Sequence, residues 1–478
     1  MPPAPNMKSS FTMEPEADRE AESPSAADAP SRFRNEPIWV RGDDGRPRLA
    51  RLLLSAYACS PARGSEHAVG WNRALQAARR CETTVLCDDH SRDEVETFAA
   101  RHGWPERLRI VWLSRLAWEP KLFRLPAGYY WYLRRWQRRA LSVARRMHVE
   151  RPFDLVHHAN YCGFREPGHL WRLDVPFVWG PVGGTQSFPQ SFARFVDRRG
   201  AIREAIRGVV NSAQLRYSPR VRQAARRAAT VLAANSTGQR DLWNAHRLRA
   251  DWQLETGLSQ LAECPPTPRR SDEPLRILWS GNLETWKAPQ ILFAALARVQ
   301  RRVPNSFRLT MLGQGRLRED LERLAERGGF AQHVQWLGQI PYAEALGKYR
   351  ESHVLAFTSL RDTSGNVVLE AMAAGVPIVC FDLHGARDMV TDDCGVKISI
   401  DRPASALEDW AAAIEKLFND EPLRLRLAAG ACERAAYFLW DRQGERMAAV
   451  YRHVLRDQLV ESPPADCEHA TVTQEHGT

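Results

Sequence analysis

The sequence predicts an α/β protein made of two doubly wound parallel-sheet domains that face one cleft. Three observations carry this reading. Short, continuous apolar runs alternate with helical patterns through both halves of the chain, which is how strands buried on both faces of a parallel sheet read. A Pro-rich, charged stretch, ECPPTPRRSDEP from Glu263 to Pro274, separates the two patterned halves. The length, 478 residues, fits two or three domains.

The elements follow in order. Residues 1–36 are rich in Pro, Ala, Ser and Glu without hydrophobic periodicity and read as a disordered leader. In the first domain, residues 37–262, strands are expected in ARLLLSAYA (50–58), TTVLC (83–87), RIVWL (109–113), DLVHH (154–158), PFVWG (176–180) and TVLAAN (230–235), with a helix over Ala68–Arg80. After the linker, residues 263–273, the second domain spans 274–440. It repeats the rhythm in RILWSG (276–281), RLTMLG (308–313), VQWLG (334–338), VLAFTS (354–359), PIVCFD (377–382) and VKISI (396–400), with a helix over Leu317–Arg327. Residues 441–460 read as an amphipathic helix returning across the cleft, and 461–478 as a disordered tail. Doubly wound sheets bind their ligands at the carboxyl ends of their strands, so the loops that follow strands are where chemistry is sought.

Composition narrows the function classes. Nine scattered cysteines without metal-type spacing read as free thiols in a reducing compartment. With no secretory-type opening and no apolar run of spanning length, the expected location is the cytoplasm. Of 67 basic residues only six are lysine. Lys121 to His148 carries eight Lys/Arg and no acid, and Arg194 to Arg227 carries ten Arg against Asp197 and Glu204. Subtracting these two +8 segments from the net +10 leaves −6, so the basicity is regional and points to a polyanionic partner for one face.

Four strand-loop-helix stretches offer chemistry. In FTSLRDTSGNVVLEAMAAGVPIVCFD (357–382) the loop before the apolar helix holds Asp362, Thr363, Ser364, Gly365 and Asn366, and the helix carries Glu370. Bare amides at a helix start bind anions, Asp362 is placed for sugar hydroxyls, and Glu370 for a ribose diol. Pyrophosphate between two polyols is the shape of a nucleotide sugar. The competing reading has Asp362 capping the helix and Glu370 paired with an arginine. In LWSGNLETWKAPQ (278–290) Lys287 stands just before a helix, where a diphosphate wants a point charge, or is a solvated loop lysine. SAYACSPARGSEHAVGW (55–71) holds Gly64 and Ser65, and WGPVGGTQSFP (179–189) holds Gly183 and Gly184. Each lines the opposite wall or merely turns the chain.

Together these stretches resemble the GT-B glycosyltransferases of family four, the group one glycosyltransferases. In that family two glutamates lie eight apart around a glycine, followed by Glu-Ala-Met-Ala-x-Gly-x-Pro. Asp362, Gly365, Glu370, Ala371, Met372, Ala373, Gly375 and Pro377 match, with Asp for the first Glu. GNLETWK resembles the family's Gly-Arg-Leu-x-x-x-Lys at Gly281, Leu283 and Lys287. LGQGRL resembles its Gly-x-Gly turn at Gly313 and Gly315, and FDLHGARDMV its Gly-x-x-Glu segment at Gly385 and Asp388. The resemblance is strong from Arg276 to Ile400 and looser in the first half, at GSEHAVGW and FDLVHH.

The resemblance implies a retaining transferase that moves sugar from a nucleoside-diphosphate sugar to a saccharide acceptor, often lipid-linked, for surface polysaccharide or glycolipid. The nucleotide sugar is a co-substrate; no cofactor and no metal site are expected. Lys287, Asp362 and Glu370 would be catalytic: Lys287 on the leaving diphosphate, Asp362 on donor-sugar hydroxyls, Glu370 on the ribose. Gly281, Asn282, Gly313 and the loop Thr363–Asn366 would complete the donor site, and Gly64, Ser65, Gly183 and Gly184 the acceptor side. Asn282 stands where the family has arginine, and Trp179-Gly180-Pro181 where it often has histidine. His157 and His158, on the preceding strand, read as packed residues.

Around Tyr129–Arg139, aromatics interleave with arginines, the composition of a membrane-water boundary. The segments 121–148 and 194–227 are therefore expected to dock the protein peripherally on an anionic inner leaflet. A solvated arginine face over an aromatic core is the competing reading. The rival function classes are an inactive GT-B binding protein and a nucleic-acid-binding protein; nothing resembles a nucleic-acid module.

Overall fold

A computed structural model describes residues 35–116, 118–124, 128–261 and 268–462. The expected tail from 463, the leader up to residue 34 and linker positions 263–267 lie outside these residues.

The chain opens with an antiparallel hairpin, β1 (Trp39–Arg41) on β2 (Pro47–Leu49). The first sheet follows: β3 (Arg51–Ser55), β4 (Glu82–Asp88), β5 (Leu108–Leu113), β6 (Leu155–His158), β7 (Phe177–Val182), β8 (Ala228–Ala233) and β9 (Asp251–Trp252). Its order is β5-β4-β3-β6-β7-β8-β9, parallel throughout. The second sheet holds β10 (Leu275–Ser280), β11 (Phe307–Leu312), β12 (Val334–Gly338), β13 (Val354–Phe357), β14 (Ile378–Phe381) and β15 (Gly395–Ile398), ordered β12-β11-β10-β13-β14-β15 and also parallel. In both sheets the order reverses beside the first strand, between β3 and β6 and between β10 and β13. Successive connections leave such a point in opposite directions, which opens a crevice at the carboxyl ends.

The apolar runs become strands because helices cover both faces: Leu52, Leu53 and Leu54 are fully buried, as are Ile378, Val379 and Cys380. At about 25 cal/mol per Å² of apolar surface, burial of each such side chain stabilises by roughly 1.5–3 kcal/mol. Some strands end earlier than their runs. VLAFTS leaves its ladder after Phe357, because Thr358 turns to bond the neighbouring loop: its hydroxyl donates to the Lys287 carbonyl at 2.7 Å, and Trp279 Nε1 donates to it at 3.0 Å.

The last helix spans Trp440–Val454 rather than reaching 460. Beyond it the chain pairs with the opening hairpin, Arg41 N to Gln458 O at 3.0 Å and Val460 N to Trp39 O at 3.1 Å. Met447, Ala448 and Tyr451 share one core with Ile38, Val40 and Leu52, so this segment completes the first domain. Asp88 ends β4, fully buried, held by Arg115, His90 and the Tyr132 hydroxyl.

The aromatic-basic stretch divides between the two readings. On the helix Gly128–Glu150, Tyr132 and Trp136 point into the core, while Tyr130 and Trp131 are exposed. Two buried acids from elsewhere draw its arginines inward: Glu119 takes Arg135 and Arg139, and Glu166 takes Arg134 together with Arg220. Arg138, Arg145 and Arg146 stay exposed.

Candidate functional site

The site lies at the switch point of the second sheet. After β10 the chain runs through Gly281, Asn282 and buried Leu283 to a 3₁₀ turn, Thr285–Lys287, and then the helix Pro289–Arg302. Gly313, after β11, packs on it so closely that a Cβ there would meet Gly281 O at 1.9 Å; with φ of 118° this position takes only glycine. Leu283 N donates to Gln314 O at 3.0 Å, lacing the two loops together. The Lys287 ammonium is thereby fixed. It is paired with the Asp362 carboxylate and lies 5.6 Å from the centroid of the Phe357 ring.

The loop after β13 carries Asp362, Thr363 and Ser364 to Gly365, whose φ of 81° puts it in the left-handed region at the start of the helix Asn366–Ala373. No side chain caps this helix, so its first-turn amides are not held by Asp362. Glu370 is not paired with an arginine among the described residues. Its Oε2 accepts from the Tyr349 hydroxyl at 2.7 Å. Burial lifts its carboxyl above the ordinary range, and the Tyr349 and Tyr342 hydroxyls oppose that rise. Tyr349 also meets Ser280 at the end of β10, and Gly281 lies beside the Lys287 stem. Lys287 and Glu370 thus flank one strand end.

The first domain closes over this loop. The Thr363 hydroxyl donates to Gln186 Oε1 at 3.3 Å, Asn235 Nδ2 donates to Thr363 O at 2.8 Å, and the Ser364 hydroxyl donates to Glu255 Oε1 at 2.8 Å. Gly183 packs on Thr363, while Gly184 binds the same Gln186 through its amide at 3.0 Å. Gly64 is exposed with open space around it; Ser65 lines the pocket between the domains together with Asn366. Gly385 lies against Thr363 O, and Asp388 Oδ2 accepts from Ser236 N at 2.7 Å, another tie to the first domain.

Two departures from the resembled pattern have structural counterparts. Arg316 approaches the Asn282 loop from the β11 side but contacts Asp197, Glu284 and Thr285. His157 Nε2 donates to Gly180 O and its Nδ1 accepts from the Tyr451 hydroxyl, both at 2.7 Å, and burial pulls the ring down to about 3. Burial brings His158 down to about 4. Both are neutral interior residues near pH 7.

Sequence reasoning missed three groups. Tyr349 carried no motif, Glu255 stands just before the linker, and Glu66 follows the quoted Ser65. Glu66 and Glu255 line the interdomain pocket of about 380 Å³ with Asn160, Tyr161 and Thr256. Burial, with the Glu66 charge second, lifts Glu255 to about 8 from the ordinary 4.5. The folded chain therefore keeps a proton that the unfolded chain releases. Stability falls as pH rises through that window and levels off above it. In scanning calorimetry from pH 5 to 8.5, Glu255→Gln is expected to lose less Tm than wild type, by roughly a few degrees. Equal slopes contradict the assignment.

Residues 265–434 match the family described as glycosyl transferases group 1. The D-inositol 3-phosphate glycosyltransferase of Corynebacterium diphtheriae is 30% identical over 203 residues, covering 39% of this chain and 47% of that protein. Its counterpart in Kineococcus radiotolerans is 28% identical over 342 residues, 66% of this chain and 74% of that protein. The chain spans less than half the length of the first curated relatives it matches. Anabaena HepE, solved with UDP and glucose, superposes with a TM-score of 0.54 at 15% identity over 84% of this chain and 100% of that one. Sucrose-phosphate synthase from Thermosynechococcus elongatus gives 0.53 at 17% identity over 86% and 100%. These superpositions show a shared architecture, the GT-B fold of two Rossmann-like domains. The chain's C-terminal domain, residues 265–434, is similar to the group 1 glycosyl transferases.

Proposed function

We propose that the protein transfers a sugar from a nucleoside-diphosphate sugar to a saccharide acceptor, with retention at the anomeric carbon. One observation carries this reading: a fixed ammonium, an uncapped helix start and a buried carboxylate meet at one switch point. Glu370 binds the ribose diol, Lys287 and the amides around Gly365 take the charge of the departing diphosphate, and Asp362 holds donor-sugar hydroxyls. The acceptor hydroxyl attacks from the face the diphosphate leaves. Positioning and charge stabilisation supply the acceleration. Thr363 and Ser364 link this loop to the first domain, so closure and donor binding act together.

The test is a thermal-shift screen against UDP-, GDP- and ADP-sugars, with UDP first because HepE holds it. At least one is expected to raise Tm by roughly 3 °C or more near saturation. No shift from any of them overturns the reading. With the donor known, NMR of the product is expected to show the donor's anomeric configuration.

The acceptor is assigned as a lipid-linked glycan, reached from an anionic inner leaflet by a cytoplasmic protein. The helix Arg198–Tyr217 supports this: Ile202, Ile206 and Val209 are 54%, 60% and 72% exposed in one stripe, flanked by exposed Arg199 and Arg203. On its inner side, burial together with nearby Arg361 and Arg165 lowers the Arg207 guanidinium to about 10, the mark of a cation cluster suited to an anionic linker. No helix among the described residues is long and apolar enough to cross a membrane. At about 1 kcal/mol per basic residue near an anionic leaflet, a few arginines suffice for docking. In liposome flotation, Ile206→Glu with Val209→Glu is expected to cut recovery on anionic vesicles about fivefold at unchanged Tm. Equal recovery of wild type on neutral and anionic vesicles contradicts the electrostatic part.

A further inference from the structure

In the pocket between the domains the first domain presents carboxyl groups beside the start of the donor helix. Its lining includes Ser65, Glu66, Asn160 and Tyr161 after the first domain's switch-point strands, Glu255 and Thr256, and Asn366 from the second domain's helix start. Two features of the wall are unusual. It holds two carboxyl groups and no Lys, Arg or His. It also holds an amide oxygen without a partner: Asn160 is 2% exposed, its Nδ2 donates to Ala58 O at 2.7 Å and to Glu66 O at 2.8 Å, and its Oδ1 bonds nothing among the described residues.

Resting on the glycosyl-transfer reading above, we propose that Glu66, Glu255 and Asn160 seat the reacting ring of the acceptor. We further propose that they accept it only as a neutral polyol, with at least two free hydroxyls and no phosphate on that ring. The two carboxyls and the orphan amide oxygen are hydrogen-bond acceptors, and the hydroxyl hydrogens of a polyol satisfy them. A carboxylate takes two neighbouring hydroxyls at once, and the orphan Asn160 oxygen takes a third. A phosphate brings only further acceptors and negative charge into the same space. The buried Arg73 guanidinium, whose charge reaches Glu255, donates to Leu254 O at 2.7 Å and does not line the pocket.

The surrounding charges agree. The groups acting on Glu255 are Glu66, Ser364, Asp362 and Arg73; burial raises Glu66 as well, opposed by the Tyr161 amide, which donates to its Oε2 at 3.1 Å. Near pH 7 the pair therefore holds a proton, so that it adds one donor beside the Ser65, Tyr161 and Thr256 hydroxyls and carries less than its full formal charge. Asn366 borders both this pocket and the helix start assigned to the diphosphate, so a ring seated here lies next to the donor. A neutral ring here would contrast with the phosphorylated ring in the name of the D-inositol 3-phosphate glycosyltransferases the chain resembles.

The experiment is saturation-transfer NMR on the full chain, with the nucleoside diphosphate that raises its Tm most. The probes are myo-inositol and the methyl glycosides of glucose, galactose and mannose, beside D-inositol 3-phosphate and the corresponding hexoside 6-phosphates. At least one neutral ring is expected to take up saturation, with its phosphate at least about tenfold weaker. Glu255→Ala and Glu66→Ala are expected to cut the neutral signal at least about fivefold while nucleotide binding stays within about twofold. The shape-preserving double variant Glu66→Gln, Glu255→Gln is expected to bring neutral and phosphorylated rings within about threefold of each other. Saturation of none of the neutral rings, equal or stronger signals from the phosphates, or unchanged discrimination in the double variant overturns the proposal. Nucleotide binding is read on the same samples. Its absence sinks the transferase reading, whereas its presence without neutral-ring binding sinks this inference alone.

Discussion

Lys287→Ala is expected to lower kcat by about 100- to 1,000-fold, the range typical for removing a preorganised group aimed at developing charge. The donor KM is expected to change much less, because the diphosphate carries more charge as it departs than while esterified to the sugar. Lys287 is well placed for this. Its loop is tied by Thr358 and by the Gly313 turn, so holding the ammonium in place costs little additional ordering at the moment of reaction. The ion pair with Asp362 has its two side chains 19% and 26% exposed. Its loss should cost no more than about 1 kcal/mol of stability. Steady-state kinetics and a melting curve on one preparation separate the effects. A drop in Tm matching the loss of activity contradicts the assignment, as does a rise in KM with kcat unchanged. Lys287→Arg should recover only part of the rate, since the fork of a guanidinium does not match a point-charge site.

Glu370→Ala is expected to weaken nucleoside-diphosphate binding by about 10- to 100-fold, the worth of a charge-assisted pair of hydrogen bonds in a half-buried site. The carboxylate is held by hydroxyls rather than by a cation, so its removal leaves no buried charge unpaired and Tm should hold or rise. Glu370→Gln, which keeps one acceptor, should fall between. Tyr349→Phe removes a hydroxyl that orients Glu370 and should weaken binding only about threefold. Calorimetric titration gives all four constants. Equal affinity in wild type and Glu370→Ala contradicts the ribose assignment.

Much of the architecture was legible because both sheets are parallel and buried, so most strands read as short apolar runs between helical patterns; the two-residue β9 left no such run. The donor loop was legible for a related reason. Asp362, Gly365 and Glu370 lie within nine positions of one another in the chain, so a site proposed from them keeps its spacing in one dimension. Glu66 and Glu255 have no such record. They are 189 positions apart in the numbering and meet only because the chain crosses back beneath the cleft before the linker. Tyr349 is equally silent, a core residue of one helix whose hydroxyl happens to reach another. The aromatic-basic helix shows the opposite failure. Its composition resembles an interfacial band, yet Tyr132 and Trp136 fall four apart on the inward face, and the acids that draw its arginines in, Glu119 and Glu166, lie outside the stretch. The exposed apolar stripe belongs instead to the helix Arg198–Tyr217, where composition showed only arginine. The final helix stops at Val454 because the residues after it gain backbone partners on the opening hairpin, a contact between the two ends of the described chain.

The central claim is that a nucleoside diphosphate lies along the carboxyl edge of the second sheet. It is met most directly by a crystal structure with the nucleotide that raises Tm most. The account predicts ribose hydroxyls within hydrogen-bond distance of Glu370 and a diphosphate touching Lys287 and the amides at Gly365 and Asn366. A nucleotide bound elsewhere, with Glu370 still on Tyr349 and Lys287 still on Asp362, would contradict it.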